Sequence, residues 1–379
     1  MNILFYTTDL FSGRERLMPW RTIIEVAKEM QEKGHKVIIL NGVHNNCHLH
    51  TYTFQGVYIQ GIHRDLNEIA EITKQQFTDV LFIECKWRDA IKGFKQLKDI
   101  TCKKYIYFSG GVYDIKSIQL LIKYSSIFYS KSYLVEALIP KYWLKYRLKQ
   151  AKFNGAIGLT PYTTQMAQKA GCTNTVTILP GKDSFENLKS DNSILEKYQL
   201  KGKRFLCYTG APAPTRGAQL LLQAIDKVNN SNIYVVFLMR TDIGSDFNTF
   251  NEAYKKMKYP NRIIIIKDHL TREQLKAFFE RAWYMILPFI VVPSEIPLTF
   301  FEIMSCSTPI ISFKNGGTSE YLKKGLFITE KSVKAMSEGI TKIWEDDHLR
   351  AEKSKNAKQL MDNHATWEKI TQQWLNLIS

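Results

Sequence analysis

The feature that most limits the fold of this chain is a regular alternation of short apolar runs and helical patterns, which occurs twice. Apolar runs of this kind, each followed by a helix-like stretch, are typical of parallel sheets built from strand–helix–strand units. A polar stretch at residues 181–202 contains no strand-like run and separates the two arrays. With 379 residues the chain is long enough for two domains. We therefore predict an α/β protein with two Rossmann-like domains.

The predicted strands consist mainly of Val, Ile, Leu, Phe and Tyr. Ligands of such folds bind at the carboxyl ends of the strands, so the loops that follow them are the expected place of a site. In the first array the strands are residues 3–6, 37–40, 79–83, 104–108, 156–159 and 175–179. In the second array they are residues 204–208, 234–238, 263–266, 284–287 and 309–312.

The first strand is followed by a loop that carries Gly13 and by a helix predicted from Pro19 to Lys33. Proline suits the first turn of a helix, and Gly34 follows as a residue that ends one. The face expected to be buried carries Trp20, Ile23, Ile24, Ala27 and Met30 at helical spacing.

The first loop of interest, residues 208–217, links a predicted strand to a helix and is rich in glycine and proline. It includes Thr209-Gly210 and ends with Arg216-Gly217. Amides at a helix start attract anions, and the guanidinium of an arginine can bind two phosphate oxygens at once. This loop therefore favours a diphosphate site. A plain strand–helix turn with an exposed arginine explains the loop, taken alone, equally well.

The second loop, residues 288–297, precedes a helix whose first turn is predicted to contain Pro297. The amides of Leu298 and Thr299 would lie at the positive end of that helix, a natural place for a diphosphate. Glu302 lies about one turn further on, within reach of a ribose diol. Its neighbours are apolar, so its carboxylate needs a partner. A solvated glutamate is the ordinary alternative.

The third loop, residues 313–321, follows the strand at residues 309–312 and contains Gly316-Gly317. Paired glycines allow a ligand to approach the backbone closely. On its own this signal is weak.

These three loops, in this order, resemble those of retaining glycosyltransferases of the GT-B fold, and of glycosyltransferase family 4 in particular. The resemblance extends over nearly the whole chain, from the Gly13 loop to Thr366-Trp367-Glu368, which opens a last helix. It implies two Rossmann-like domains with parallel sheets that face each other across a cleft. In that arrangement residues 1–185 bind the acceptor, residues 186–364 bind the nucleotide-sugar donor, and residues 365–379 form a helix that crosses back to the first domain.

By the same resemblance, the chain transfers a sugar from a nucleoside-diphosphate sugar to a glycan or lipid-linked acceptor, with retention and without a metal or other cofactor. Arg216 and the helix amides would stabilise the departing diphosphate, and Glu295 is the expected catalytic carboxylate. Ser109 and Gly110 are expected on the acceptor side. The expected donor-binding residues are Gly13, Gly210, Arg216, Ser294, Leu298, Thr299 and Glu302.

The sequence departs from the family pattern at three places. The family pairs two glutamates separated by seven residues; with Glu302 as the second, the first position holds Ser294, and Glu295 comes one residue late. Ala211 replaces the basic residue that commonly follows the glycine of the first loop. Residues 108–111 contain no histidine where the family has one in its sugar pocket. An inactive relative that scaffolds partners or binds glycans is therefore the main alternative.

Positive charge is concentrated in residues 101–152, which hold ten basic and two acidic residues within a chain of net charge +16. Residues 141–152 read as a helix with Leu144, Leu148 and Ala151 on one face. A basic amphipathic helix of this kind favours an anionic membrane surface as a partner. A core-packed helix with solvated lysines is the alternative. The expected membrane contacts are Lys141, Lys145, Arg147 and Lys149.

Other classes fit the sequence less well. No nucleic-acid-binding module surrounds the basic stretch, so no nucleic-acid partner is expected. No Gly-x-Gly-x-x-Gly loop follows the first strand, which counts against a nicotinamide-dependent oxidoreductase. We find no signal peptide, no membrane-spanning run and no Cys-x-x-Cys pair among the six cysteines. A cytoplasmic protein, peripheral on the inner face of the membrane, is the expectation.

Overall fold

The computed structural model describes residues 1–241 and 246–379, which form two α/β units, each around its own twisted sheet. The strands of each sheet are parallel, apart from one antiparallel pair at an edge of the first sheet. This arrangement confirms the predicted two-domain α/β fold.

The first sheet has eight strands in the order β3-β4-β2-β1-β5-β6-β7-β8. Its strands are β1 (Asn2–Thr8), β2 (Lys36–Val43), β3 (Tyr52–Phe54), β4 (Val57–His63), β5 (Val80–Cys85), β6 (Lys103–Phe108), β7 (Gly155–Gly158) and β8 (Thr175–Thr177).

The second sheet has six strands in the order β11-β10-β9-β12-β13-β14. Its strands are β9 (Leu206–Gly210), β10 (Val235–Met239), β11 (Ile263–Ile266), β12 (Met285–Leu287), β13 (Ile310–Phe313) and β14 (Leu326–Thr329). Every residue of β9 and β10 is buried. Helices on both faces of a parallel sheet produce this burial and explain the apolar runs in the sequence.

The helices lie mostly between consecutive strands. In the first part of the chain they are α1 (Trp20–Glu32), α2 (Leu66–Gln75), α3 (Ile115–Tyr124), α4 (Ile127–Leu138), α5 (Lys141–Lys149) and α6 (Pro161–Lys169). In the rest they are α7 (Ser193–Lys197), α8 (Ala218–Asp226), α9 (Phe247–Lys255), α10 (Arg272–Arg281), α11 (Leu298–Ser305), α12 (Gly316–Leu322), α13 (Val333–Glu345), α14 (Asp347–Asp362) and α15 (Trp367–Ile378).

Helix α1 shows how local sequence sets the structure. Pro19 is its N-cap residue rather than part of its first turn, and Gly34, just beyond its end, has the positive φ of +85° that glycine tolerates. The face predicted to be buried is buried, and it packs against the first sheet. Lys28, Glu29 and Glu32 are more exposed, as expected for a helix that covers one side of a sheet, whereas Glu25 is buried and pairs with Arg21.

Three of the strands were not predicted from the sequence. Strands β3 and β4 form a hairpin at an edge of the first sheet, joined through Gln55 and Gly56, which both have positive φ. Strand β14 extends the second sheet beyond β13. All three contain polar or exposed residues, because β3 and β14 are edge strands, β4 lies next to the edge, and the edge of a sheet is only partly covered.

Helix α15, the last of the chain, packs on the first sheet and not on the second. Trp374 lies fully buried with its ring centroid 5.0 Å from that of Phe82 and 5.2 Å from that of Tyr107. At the end of the helix, Lys103 donates to the carbonyl of Ile378, and the hydroxyl of Tyr105 donates to that of Leu377. These donors satisfy carbonyls that a helix end leaves unpaired.

The two domains also meet through α3, a helix of the first domain. Its residues Ile118, Leu121 and Tyr124 belong to the same apolar cluster as α8 of the second domain. The hydroxyl of Tyr124 donates to Gln223 at 3.0 Å. One side of the cleft is therefore closed by packed side chains.

Candidate functional site

The loop after β9 is held by two glycines at its ends. Gly210 has a φ of +138°, and Gly217, which caps α8, has a φ of +71°. A Cβ at Gly217 would overlap the carbonyl oxygen of Pro288, so only glycine allows this loop and the loop after β12 to approach so closely. The amides of Ile290 and Val291 donate to the carbonyl of Thr215 and join the two loops.

Arg216 lies at the end of the short 3₁₀ turn Pro214–Arg216, at the carboxyl edge of the second sheet. Its guanidinium carbon is 4.7 Å from the ring centroid of Phe289, which places the cation over an aromatic face. A Cβ at Gly210 would lie 3.7 Å from one of its nitrogens. The aromatic ring and the glycine thus fix a half-exposed cation beside the end of β9.

Helix α11 begins at Leu298, with Pro297 as its N-cap, so the predicted position of the proline was one residue too far into the helix. The first amides of a helix have no intrahelical partner, and here they belong to Leu298 and Thr299. Both residues are half-buried.

Glu302, one turn into α11, lies in a small crevice lined also by Asp183 and Leu298. Burial raises the pKa of its carboxyl to about 7, and the charge of Asp183 adds to this, while Arg272, Arg21 and Arg240 oppose it. Glu302 is thus a partly desolvated carboxylate near cations, a typical environment for a group that binds a ligand.

Arg240 was not singled out from the sequence. It follows β10 directly, and its amide donates to the carbonyl of Gly210. Its charge also acts on Glu302, so it belongs to the same edge of the sheet. A single arginine immediately after a buried strand was the signal that could have identified it.

Asp183 joins the two domains next to this crevice. It accepts hydrogen bonds from Arg21 of α1 at 2.9 Å, from Arg272 of α10 at 3.0 Å and from the indole of Trp367 at 2.9 Å. One carboxylate therefore ties the first domain, the second domain and α15 together. Charge-assisted bonds of this kind are stronger than neutral ones.

The carboxylate of Glu295 lies against α12. Only 3% of the residue is exposed. Its carboxylate accepts from Thr318 Oγ1 at 3.4 Å, and a Cβ at Gly316 or Gly317 would lie 2.9 Å from one of its oxygens. The paired glycines of the third loop thus admit the protein's own carboxylate rather than a ligand. The hydroxyl of Ser294 is buried without a hydrogen-bond partner among the described residues.

Burial raises the pKa of Glu295 to about 7, although hydrogen bonds from Thr318, Val112 and Gly317 oppose this. Because the folded-state pKa lies above the ordinary 4.5, the associated stability is fully present below pH 4.5 and is lost as the pH rises through 7. Glu295→Gln, which carries no ionisable proton, should therefore gain stability relative to wild type between pH 5 and pH 8, by on the order of 2–3 kcal/mol.

Urea unfolding at the two pH values measures this difference. Glu338→Gln, at an exposed position of α13, is the matched control. If the difference between Glu295→Gln and wild type is the same at pH 5 and pH 8, the carboxylate is not desolvated.

On the acceptor side, Ser109 is buried, and its hydroxyl donates to Glu84, whose other oxygen accepts from Thr7 at 3.1 Å. Ser109 is therefore engaged inside the first domain and is not open to a ligand. Gly110 lies next to Trp87 and the carboxylate of Glu136, at ordinary contact distances.

Gly111, which follows Gly110, makes the main backbone contact across the cleft. Its amide donates to the carbonyl of Pro293 at 3.1 Å, and a Cβ there would overlap the carbonyl oxygen of Val292. The hydroxyl of Tyr113 donates to the same Pro293 carbonyl.

Gly13 is exposed, with a φ of +90°, and its amide donates to Glu15.

The three predicted loops of the second domain contact one another, but their candidate site residues fall into two separate groups. Gly210 and Arg216 lie at the end of β9, next to Arg240, and the charge of Arg240 also acts on Glu302 of α11. Glu295 belongs instead to a buried group with Gly316 and Gly317. Across residues 1–241 and 246–379, no cluster of three or more His, Cys, Asp or Glu side chains could hold a metal ion.

The basic helix α5 has the predicted buried face, with Leu144 and Leu148 in the core. Lys141, Lys145 and Lys149 are exposed. Arg147 is half-exposed, and its guanidinium carbon stacks 4.5 Å from the ring centroid of Trp143. Within the described ranges, no helix has the length and apolar character needed to cross a membrane.

Comparison with known proteins gives a family match for the second domain. The model of the family "Glycosyl transferases group 1" matches residues 190–360, which contain all of the second sheet. No curated protein matches the chain in sequence.

Similar solved structures cover almost the entire chain. A sucrose-phosphate synthase from Thermosynechococcus elongatus has 13% identity and a TM-score of 0.72, over 99% of this chain and 98% of that chain. Anabaena HepE in complex with UDP has 14% identity and a TM-score of 0.72, over 99% of both chains. A Rickettsia africae glycosyltransferase has 16% identity and a TM-score of 0.67, over 100% and 97%. Residues 190–360 therefore resemble a glycosyl transferases group 1 domain, and the whole chain has the GT-B fold of these solved structures.

Proposed function

We propose that this chain is a retaining glycosyltransferase that transfers a sugar from a nucleoside-diphosphate sugar to a glycan or lipid-linked acceptor, without a metal. The observation that carries the proposal is the position of Arg216. It is held over Phe289 at the carboxyl edge of the second sheet, where α/β proteins bind ligands. The family match of the same domain and the UDP and UDP-glucose complexes of HepE support a nucleotide-sugar donor.

The proposed mechanism uses the groups at this edge. Arg216 and the amides of Leu298 and Thr299 hold the diphosphate, on which negative charge builds as the glycosidic bond breaks. Glu302 accepts hydrogen bonds from the ribose hydroxyls. A phosphate oxygen of the leaving group takes the proton of the acceptor hydroxyl on the same face of the sugar, so the configuration is retained.

Donor hydrolysis tests this proposal without knowledge of the acceptor. Wild-type protein in EDTA should release UDP or another nucleoside diphosphate from at least one nucleotide sugar, and Arg216→Ala should release it far more slowly. Activity that requires a divalent metal would overturn the metal-free mechanism. Absence of hydrolysis with every donor would favour the inactive alternative.

One structural observation favours the alternative of an inactive relative. The first position of the family's glutamate pair holds Ser294, and Glu295 is sealed under α12 with its carboxylate bonded to Thr318. A protein with this arrangement could still bind the nucleotide but lack the carboxylate contact to the sugar. Nucleotide binding without hydrolysis or transfer would support a scaffolding or glycan-binding function.

We further propose that the enzyme works at an anionic membrane surface. Helix α4 is apolar, yet Ser130 is its only buried residue, and Phe128 is 87% and Leu138 60% exposed. Helix α5 follows directly, with exposed Tyr142 and Tyr146. Exposed apolar and aromatic side chains beside lysines are typical of surfaces that bind anionic lipid. The docking surface comprises Phe128, Leu138, Lys141, Tyr142, Lys145, Tyr146 and Lys149.

Reversal of three charges on the docking surface should abolish sedimentation with vesicles that contain acidic lipid. Each lysine near such a surface contributes about 1 kcal/mol, so Lys141→Glu, Lys145→Glu and Lys149→Glu together should weaken binding more than a hundredfold. The matched control reverses Lys201, Lys334 and Lys358, which are exposed in the second domain. Equal sedimentation of the two triple variants would contradict membrane docking by this surface.

A further inference from the structure

A second cavity lies between the domains, apart from the edge that carries Arg216 and Glu302. It has a volume of about 1020 Å³. The first domain contributes α3 and Tyr162, while the second contributes the loop after β13, α12 and the loop after β14. None of the predicted donor-binding residues lines it.

The walls of this cavity are rich in lysine. Lys116 and Lys123 come from α3, and Lys314, Lys323 and Lys331 come from the second domain, against the acidic Asp114, Glu320 and Glu330. In the part of the chain that the structure describes, Lys331 alone of these lysines forms an ion pair, with Asp114. The other four lysines, from both domains, therefore line a shared space and form no ion pair with a carboxylate of the described residues.

Lys331 has a different role. Its side chain is only 14% exposed, and its ammonium donates to Ser117 Oγ and to the carbonyl of Ile290 at 3.0 Å. It thus connects α3 with the loop after β12 and fixes one wall of the cavity. Lys331 therefore contacts both domains from a buried position next to the exposed lysines of the cavity.

The cavity continues towards Glu295. A narrow neighbouring cavity shares Asp114, Gly316 and Lys331 with it and is lined by Glu295. Leu120, Tyr162 and Ile328 give the larger cavity an apolar part. A ligand there could combine an anionic group with a sugar ring or an apolar chain.

We propose that this lysine-lined cavity binds the phosphate or diphosphate group of the acceptor. Several ammonium groups around a concave space attract a multivalent anion, and each bonds phosphate oxygens as a mobile point charge. Contacts from both domains would make such a ligand bridge the cleft. The assignment to the acceptor rests on the proposed transferase function, whereas binding of the anion does not.

Calorimetric titration with inorganic pyrophosphate tests the site, in a buffer of constant ionic strength and with saturating UDP to occupy the donor edge. Lys314→Glu with Lys323→Glu should weaken pyrophosphate binding about tenfold or more, since two charged hydrogen bonds to the anion are lost and two negative charges are added. The matched control, Lys324→Glu with Lys334→Glu, makes the same charge change at exposed positions outside the cavity and should bind nearly as well as wild type.

Two results would overturn the proposal. Equal pyrophosphate affinity in the two double variants would show that the cavity lysines make no specific contact. Binding that UDP abolishes in the wild-type protein would place the anion at the donor edge only. Titration with UDP, GDP, ADP, CDP and TDP, each alone, separates this proposal from the proposed function, because failure of all of them to bind would overturn the transferase assignment while leaving the effect of the cavity variants on pyrophosphate intact.

Discussion

Replacing Arg216 with alanine lowers the rate of donor hydrolysis and of transfer on the order of a hundredfold, which corresponds to roughly 3 kcal/mol in the barrier. Negative charge grows on the diphosphate as the bond to the sugar breaks, so a cation beside it binds the transition state more tightly than the ground state. The stacking on Phe289 holds the guanidinium in place before the substrate arrives. The loss should therefore appear in kcat as well as in KM.

Arg216→Lys should recover only part of this rate. Lysine keeps the charge but cannot bind two phosphate oxygens in a fixed plane, and it stacks less well on an aromatic ring. Arg281→Ala, at an exposed position at the end of α10, is the matched control. Steady-state kinetics of the three variants decide the matter: wild-type turnover in Arg216→Ala would contradict the assignment.

Trp374→Ala destabilises the first domain by about 3–5 kcal/mol, the usual cost of removing a fully buried aromatic side chain. The ring fills the space between α15 and three aromatic residues of the first sheet, Phe5, Phe82 and Tyr107. Its indole N–H has no partner among the described residues. Trp374→Phe, which removes that N–H and part of the ring, should therefore cost much less.

Urea unfolding followed by far-UV circular dichroism measures both variants, and the midpoint of the transition should fall clearly in Trp374→Ala. A change below about 1 kcal/mol would mean that α15 adds little to the first domain. That result would also argue against a stabilising effect of the contact between Asp183 and α15, in which Trp367 at the start of the helix donates to the Asp183 carboxylate.

The fold could be predicted from the sequence, because parallel strands that are buried on both faces appear in it as continuous apolar runs. The strands at 206–210 and 235–239 are of this kind. Edge strands were harder to identify, since β3 and β4 are partly exposed and alternate in polarity. The Gln55-Gly56 turn between them was a usable signal, because both residues take the positive φ of a hairpin.

The candidate site was predictable only where one loop suffices to define it. Arg216 beside Gly210, and Glu302 one turn into a helix, follow from positions after predicted strands. The sequence does not predict the direction of the Glu295 side chain. That direction depends on the space beside Gly316 and Gly317, which lie more than twenty residues away. The contact of Gly111 with Pro293 and the links of Asp183 to Arg21 and Arg272 likewise arise from packing between domains.

The central claim is that the carboxyl edge of the second sheet binds a nucleoside diphosphate between Arg216 and Glu302. Calorimetric titration of the wild-type protein and of Glu302→Gln with UDP, GDP, ADP, CDP and TDP tests it most directly. One of these ligands should bind at a single site, and Glu302→Gln should bind it about tenfold less tightly, since a charged acceptor to the ribose is lost while the melting temperature does not fall. Absence of binding by every nucleoside diphosphate, or wild-type affinity in Glu302→Gln together with a large fall in melting temperature, would contradict the account.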